Sequence, residues 1–203
     1  MNEIRVAAIV GGHGEVESLP ILFWRIAGTL DRSLTVHVKP VLRVPESRLS
    51  KVGELEKHVE FAARSIGRHG GIFILMDCDW PDGCPRDDGP AWLNRARCAR
   101  PDMQISLVLA NKEYEAWFIA AAESLRGKRG LAADLTTDPN PERIRGAKEW
   151  LSDRMPRNRP YNPTIDQPAL TSVFDMQAAR RADSFDKCYR EIVRLLTALW
   201  PGG

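Results

Sequence analysis

The stretch Ile72–Trp80 reads IFILMDCDW and sets two carboxylates, Asp77 and Asp79, directly behind a run of apolar residues. A short apolar run entered from Gly70-Gly71 is the pattern of a strand buried on both faces, as in a parallel sheet under helices. At the carboxyl edge of such a sheet, two aspartates one residue apart form a cradle for a divalent metal. With Pro81, Asp82 and Gly83 behind them, the same residues also read as the punctuation of a turn. A third carboxylate, Glu15, follows the glycines Gly11, Gly12 and Gly14 at the end of another strand-like run, Ile4–Val10. Two more, Glu113 and Glu115, stand in the first turn of a helical stretch that leaves a third such run, Gln104–Ala110. Acidic residues there favour the helix dipole, and their place at a strand end equally suits metal or substrate work.

These residues need a scaffold that brings strand ends together. Leu19, Leu22, Phe23, Ile26 and Leu30 form one apolar helical stripe, with Ser18 as N-cap and Pro20 in the first turn. Gly11–Glu17 is then a strand-to-helix crossover on the same sheet edge as Asp77 and Asp79. Its glycines match neither G-x-x-x-x-G-K-[ST] nor a full G-x-G-x-x-G, so a phosphate cradle has no complete motif behind it. Leu34–Val44 is a strand in which Pro40 marks an edge position or a bulge. Leu55, Val59, Ala62 and Ile66 stripe a second helix that returns to the Asp77 strand. The order β-α-β-α-β demands right-handed crossovers onto a mostly parallel sheet. Beyond it the sequence predicts a loop over 81–90, a short helix at Ala91–Ala99, and a helix over Asn111–Leu125. A mobile basic loop over 126–141, a helix at Glu142–Met155 carrying Arg143, Arg145 and Lys148, a Pro-rich connector at Pro156–Pro168 and a final helix from Phe185 to Leu199 complete the chain. The expected fold is α/β, a mostly parallel sheet flanked by helices in the Rossmann manner. Residues 1–125 form the core, and 126–203 a helical extension packed on it within a single structural domain.

With 43% hydrophobic and 28% charged residues among 203, the composition is that of a globular protein rather than a disordered one. No apolar run approaches the roughly 20 residues of a membrane span, and the N-terminus lacks the pattern of a signal peptide. A cytoplasmic protein with no membrane contact is expected. The four cysteines form no C-x-x-C and the four histidines no pair at ligand spacing, which argues against structural zinc and for free thiols. The net charge of +2 hides an asymmetry: the first 125 residues lean acidic and the remainder basic. A nucleic-acid-facing surface in the C-terminal part is compatible with that, as is ordinary solvated surface.

A strand, a glycine-rich turn with Glu15 and a later strand ending in Asp77-Cys78-Asp79 together resemble the Toprim domain of topoisomerases, primases and the overcoming-lysogenization-defect nucleases. The segments GHGEVESLPILFWRI, LMDCDWPDGCP, NKEYEAWFIAAAESL, RGAKEWL and DQPALTSVFDM further resemble a bacterial Toprim-like group, domain-of-unknown-function family 4276, over nearly the whole chain. The resemblance implies a Mg²⁺- or Mn²⁺-dependent phosphodiester hydrolase acting on DNA or RNA. Its catalytic and metal residues would be Glu15, Asp77 and Asp79, with Glu115 as a further ligand and Lys112, Glu113 and Lys148 facing substrate. It also implies a possible partner ATPase and a role in defence against phage or foreign DNA. One position departs from the pattern. Toprim domains carry Glu directly after the first strand, where this chain has Gly11, and Glu15 matches instead a second acidic position of the overcoming-lysogenization-defect group. A catalytically reduced module that binds an ATPase or nucleic acid is therefore the alternative, and primase-type nucleotidyl transfer a third reading.

Overall fold

The computed structural model describes residues 3–200. Four strands, β1 (Glu3–Val10), β2 (Thr35–Arg43), β3 (Gly71–Cys78) and β4 (Gln104–Asn111), make one parallel sheet in the order β2-β1-β3-β4. The helices are α1 (His13–Leu30), α2 (Glu46–Leu49), α3 (Glu54–Ile66), α4 (Pro85–Ala99), α5 (Ala116–Ala120), α6 (Ala147–Ser152), α7 (Pro163–Thr171), α8 (Met176–Ala179) and α9 (Asp183–Leu199). No helix is long and apolar enough to cross a membrane among the described residues.

Strand parity divides the core. Phe73 and Leu75 of β3 join Val6, Ala8 and Val108 in a layer under α1 and α9. Ile72, Ile74 and Met76 face the other way, onto Val59 of α3 and Trp92 and Ala96 of α4. The chain steps from β1 to β2 in one direction and from β2 through β3 to β4 in the other. Crossovers of a single hand then require α1 on one face and α3 and α4 on the opposite one, as found. The reversal leaves a crevice between the carboxyl ends of β1 and β3, the position at which open α/β sheets place their ligands. Val10 pairs beside Leu75, so the glycine loop after β1 and Asp77 near the end of β3 meet there.

Several elements differ from the sequence expectation for definite reasons. Helix α1 starts at His13, because Glu15 reaches back as an N3 residue to accept the Gly12 N–H. Ser18 is therefore a buried residue inside the helix rather than its cap. Pro85 at a first-turn position starts α4 inside the stretch read as loop. The helix expected over Asn111–Leu125 breaks into α5 and a 3₁₀ turn at Ala122–Leu125. The segment expected as a mobile loop buries Leu131 and Leu135 and ties its backbone in through Ala132 N–H to Arg154 O (2.9 Å). Where one helix was expected at 142–155, a 3₁₀ turn (Pro141–Arg143) and α6 are separated by Gly146 in the left-handed region. The connector holds α7, started by Asn162, whose side chain accepts from Thr164 N–H, and by Pro163 at the first helical position. The edge strand β2 carries both a register shift opposite Val6–Ala8 and a cis Lys39–Pro40 bond.

The C-terminal segments are built into the same core. Trp117 Nε1 donates to Ser184 Oγ (2.8 Å), and the Tyr114 hydroxyl bonds Thr171 Oγ1 (2.9 Å). The closest approach is at Gly14, where an added methyl would collide with the Gln167 side chain and stand 2.8 Å from Pro163 O. Gly14→Ala is thus expected to push α7 off α1. It should cost about 1–3 kcal/mol, the usual range for overpacking, and lower the melting midpoint by roughly 2–4 °C per kcal/mol. Thermal unfolding checks this, and an unchanged midpoint would mean that the α1–α7 contact is soft.

Candidate functional site

Four carboxylates and one ammonium gather at the crevice. Three of the carboxylates are anchored through one oxygen and turn the other to the ammonium, whereas Glu15 is held through both. Asp77 Oδ1 accepts the Tyr114 N–H (2.9 Å), and its Oδ2 lies 3.7 Å from Lys148 Nζ. Glu113 Oε2 accepts the Ala147 N–H (2.6 Å), and its Oε1 is 2.6 Å from Lys148 Nζ. Glu115 Oε1 accepts the Tyr161 hydroxyl (2.9 Å), while its Oε2 lies 3.4 Å from the same ammonium without a hydrogen bond and is fully buried. Glu15 Oε2 accepts the Gly12 N–H, and its Oε1 takes the Gln167 amide (3.1 Å).

Local sequence explains these placements. Parity puts Asp77 on the Phe73–Leu75 face, toward α1 and the C-terminal segments, whereas Cys78 faces α4. Lys112 adopts a left-handed backbone (φ 69°), which turns the chain sharply after β4 and brings Glu113 and Glu115 back over the strand end. Gly146, also left-handed, aims the first N–H of α6 at Glu113 and sets Lys148 one residue further in.

The electrostatics follow from burial and crowding. Burial, then the charges of Glu15 and Glu115, push Asp77 well above the ordinary carboxylate range, against the pull of Lys148 and the Tyr114 N–H. Burial likewise raises Glu115 to about 7, with Lys148 opposing and Glu15 adding to the rise. Burial disfavours the Lys148 ammonium, but Glu115, Asp77 and Glu113 outweigh it and hold the group charged well beyond the usual lysine range. Tyr161, buried and beside Glu115, stays a protonated donor.

Of the residues singled out from sequence, Glu15, Asp77, Glu113, Glu115 and Lys148 meet in this cluster, and Asp79 and Lys112 do not. Asp79 has the parity of Asp77 but lies one residue past the end of β3, exposed, in a cleft with Trp80, Asp82, Lys112 and Arg145. Tyr161 and Gln167 were missed. Both stand in the stretch read as connector, where the Asn162-Pro163 pair was the available sign that a helix starts.

The donor set suits a hard divalent cation, since it offers only oxygens and one of them, Glu115 Oε2, is buried without a hydrogen-bond partner. As the side chains lie, among the described residues no three acidic, His or Cys groups stand at metal-binding spacing. Asp77, Glu113 and Glu115 close on Lys148 instead.

A pH dependence follows from Glu115. The folded form holds its proton up to about 7, against 4.5 for the free side chain. Over that window the folded state binds more protons than the unfolded one, so stability present below the lower value is lost as pH rises through the upper one. Urea unfolding of wild type and Glu115→Gln in EDTA should show the gap between them changing across that window, and two parallel pH profiles would contradict the assignment.

A family model described as a domain of unknown function, DUF4276, matches residues 30–192. Searches of curated proteins and of solved structures return no match. The family match begins at the last residue of α1, so the glycine loop and Glu15 precede it. It takes in Asp77, Glu113, Glu115, Lys148, Tyr161 and Gln167 and spans most of the chain, which therefore belongs to the DUF4276 family.

Proposed function

We propose that the chain is a divalent-metal-dependent phosphodiester hydrolase of the Toprim type, cytoplasmic, acting on DNA or RNA with Mg²⁺ or Mn²⁺. The observation that carries this is the half-anchored state of the carboxylates. Supporting donors fix one oxygen of Asp77, Glu113 and Glu115 and leave the other turned to a common cation position, the arrangement by which outer partners orient metal ligands. Asp77, Glu115 and Glu15 would hold the ion, and Glu113 would position Lys148 and the start of α6. When bound, the ion would supply an activated water and stabilise charge on the leaving oxygen. Lys148, the one cation within reach of these carboxylates among the described residues, would bind a non-bridging phosphate oxygen. Asp79 stands outside this set, at the mouth of the neighbouring cleft. A partner ATPase and a part in defence against foreign DNA belong to the same proposal.

One observation favours a second reading, a catalytically reduced module. The ammonium of Lys148 already occupies the point on which the free oxygens close, and such a half-buried cation satisfies the cluster by itself.

Lys148→Met separates the two. Calorimetry with Mn²⁺ and a cleavage assay on plasmid and single-stranded substrates would be run on wild type, Asp77→Asn/Glu115→Gln and Lys148→Met. A hydrolase binds Mn²⁺ and cleaves as wild type, loses both in the double variant, and in Lys148→Met keeps the metal while losing cleavage. Wild type that binds no metal, with binding appearing only in Lys148→Met, would sink the hydrolase and establish the reduced module. Glu113→Gln, which touches only the supporting contacts, is expected to weaken metal binding by about 10- to 100-fold.

A further inference from the structure

Nine of the 22 arginines of this chain are paired with carboxylates. Arg48, Arg64, Arg95, Arg100, Arg129, Arg159, Arg180, Arg190 and Arg194 each lie within 4.0 Å of an acidic oxygen. Among the cations that take part in no ion pair between described residues, six gather in space: Arg86, Lys112, Arg143, Arg145, Arg181 and Lys187. They come from four separate parts of the chain, yet all six line three neighbouring clefts around the carboxyl end of β4. Asn111 and Glu142 line two of these clefts and Lys112 the third, so the clefts form one rim beside Asp77 and Glu113. Four carboxylates share the rim. Glu142 is committed to Ser184 N–H (2.9 Å) and Asn111 Nδ2 (3.4 Å), leaving Asp79, Asp82 and Asp183 exposed.

The rim also has an aromatic floor. Trp80 lies parallel on Trp92 of α4, with centroids 5.7 Å apart and planes 7° apart. Trp92 is buried at 8% exposure, whereas Trp80 is half-buried and lines the cleft that holds Lys112 and Arg145. An indole fixed from behind, with cations at its edge, is the composition of a stacking platform for unpaired bases.

We infer that this rim is a track for a single-stranded polynucleotide, in which Arg143, Arg145 and Lys112 take successive phosphates and Trp80 stacks a base. The inference rests on the proposed hydrolase for the strand's purpose, but the binding it asserts needs no metal and no turnover. Within the basic C-terminal part of the chain it singles out Arg143 and Arg145. Arg129 and Arg159 both spend their charge on Asp166, whose side chain is 2% exposed, and Lys148 spends its charge in the crevice. Bases inside a duplex are stacked on both faces and offer Trp80 no free surface, so the platform selects single strands.

The test is equilibrium binding in EDTA of fluorescein-labelled single-stranded and duplex oligonucleotides, DNA and RNA, over a range of salt. Wild type should favour the single strand. Arg143→Ala/Arg145→Ala should bind it at least tenfold more weakly and lower the salt slope by about 1.4, the share of two phosphate contacts on a single strand. Arg48→Ala/Arg64→Ala, which removes the same charge at surface pairs on α2 and α3, should match wild type. Trp80→Leu should lose roughly tenfold on single strands and little on duplex, with Trp80→Phe retaining affinity and thermal melts confirming that each variant is folded. Equal losses in the rim and control variants, or wild type with no preference for single strands, would overturn the track. Binding that persists while metal binding and cleavage fail would remove the hydrolase and leave the track standing, whereas cleavage indifferent to the rim variants would do the reverse.

Discussion

The contact on which the crevice depends is the one between the Lys148 ammonium and the free oxygens of Asp77, Glu113 and Glu115. Carboxylates brought this close under cover repel one another, and a cluster without a cation would have to take up protons or open to water. A single lysine makes the gathering tolerable. The consequence spreads outward, because Lys148 can reach that point only if α6 begins where it does. That start depends on Gly146 and on the Ala147 N–H bonding Glu113. Tyr161 then seals Glu115 from the far side. The site is thus held by mutual constraint between the turn after β4 and the segments that follow it, with the sheet edge supplying Asp77.

Much of the scaffold was legible because its signals are strong and local. The unbroken apolar run of β3 marks a strand covered on both faces, and the two faces are in fact covered by separate apolar layers. Pro40 marked β2 as an edge strand or a bulge, and the strand is both. The misplacements arise where a side chain acts at a distance from its own local pattern. Glu15 caps α1 from inside and so hides the helix start behind two glycines. The apolar residues around Glu115 have helical spacing, yet their large rings pack in several directions at once: Tyr114 on Trp117 and Phe118, Trp117 on Phe185, and Phe118 on Phe174. That cluster is satisfied by a short helix and a 3₁₀ turn.

The site was legible in part. The strand-end rule located Asp77 and Glu115 correctly at one edge, but residue spacing could not distinguish Asp77 from Asp79, since the two share a parity and only the end of the strand separates them. Tyr161 and Gln167 gave no chemical signal of their own. Their importance comes from a fold in which α7 lies along α1. Charge counts had a similar blind spot, because a tally cannot tell Arg129 and Arg159, committed to a buried aspartate, from Arg143 and Arg145, which face solvent.

The bond from Gln167 to Glu15 joins residues 152 positions apart. During synthesis the glycine loop and all four strands leave the ribosome well before α7 exists, and domains take shape from the N-terminal side as they emerge. Until α7 docks, Glu15 has only its own helix cap as a partner, and Glu115 lacks the hydroxyl of Tyr161. A nascent chain therefore holds a sheet with an incomplete crevice, and the last third of the polypeptide serves as the key that completes it. Truncated or stalled products would carry the strands without the assembled charge cluster, so whatever the crevice does is reserved for chains that have been finished and folded.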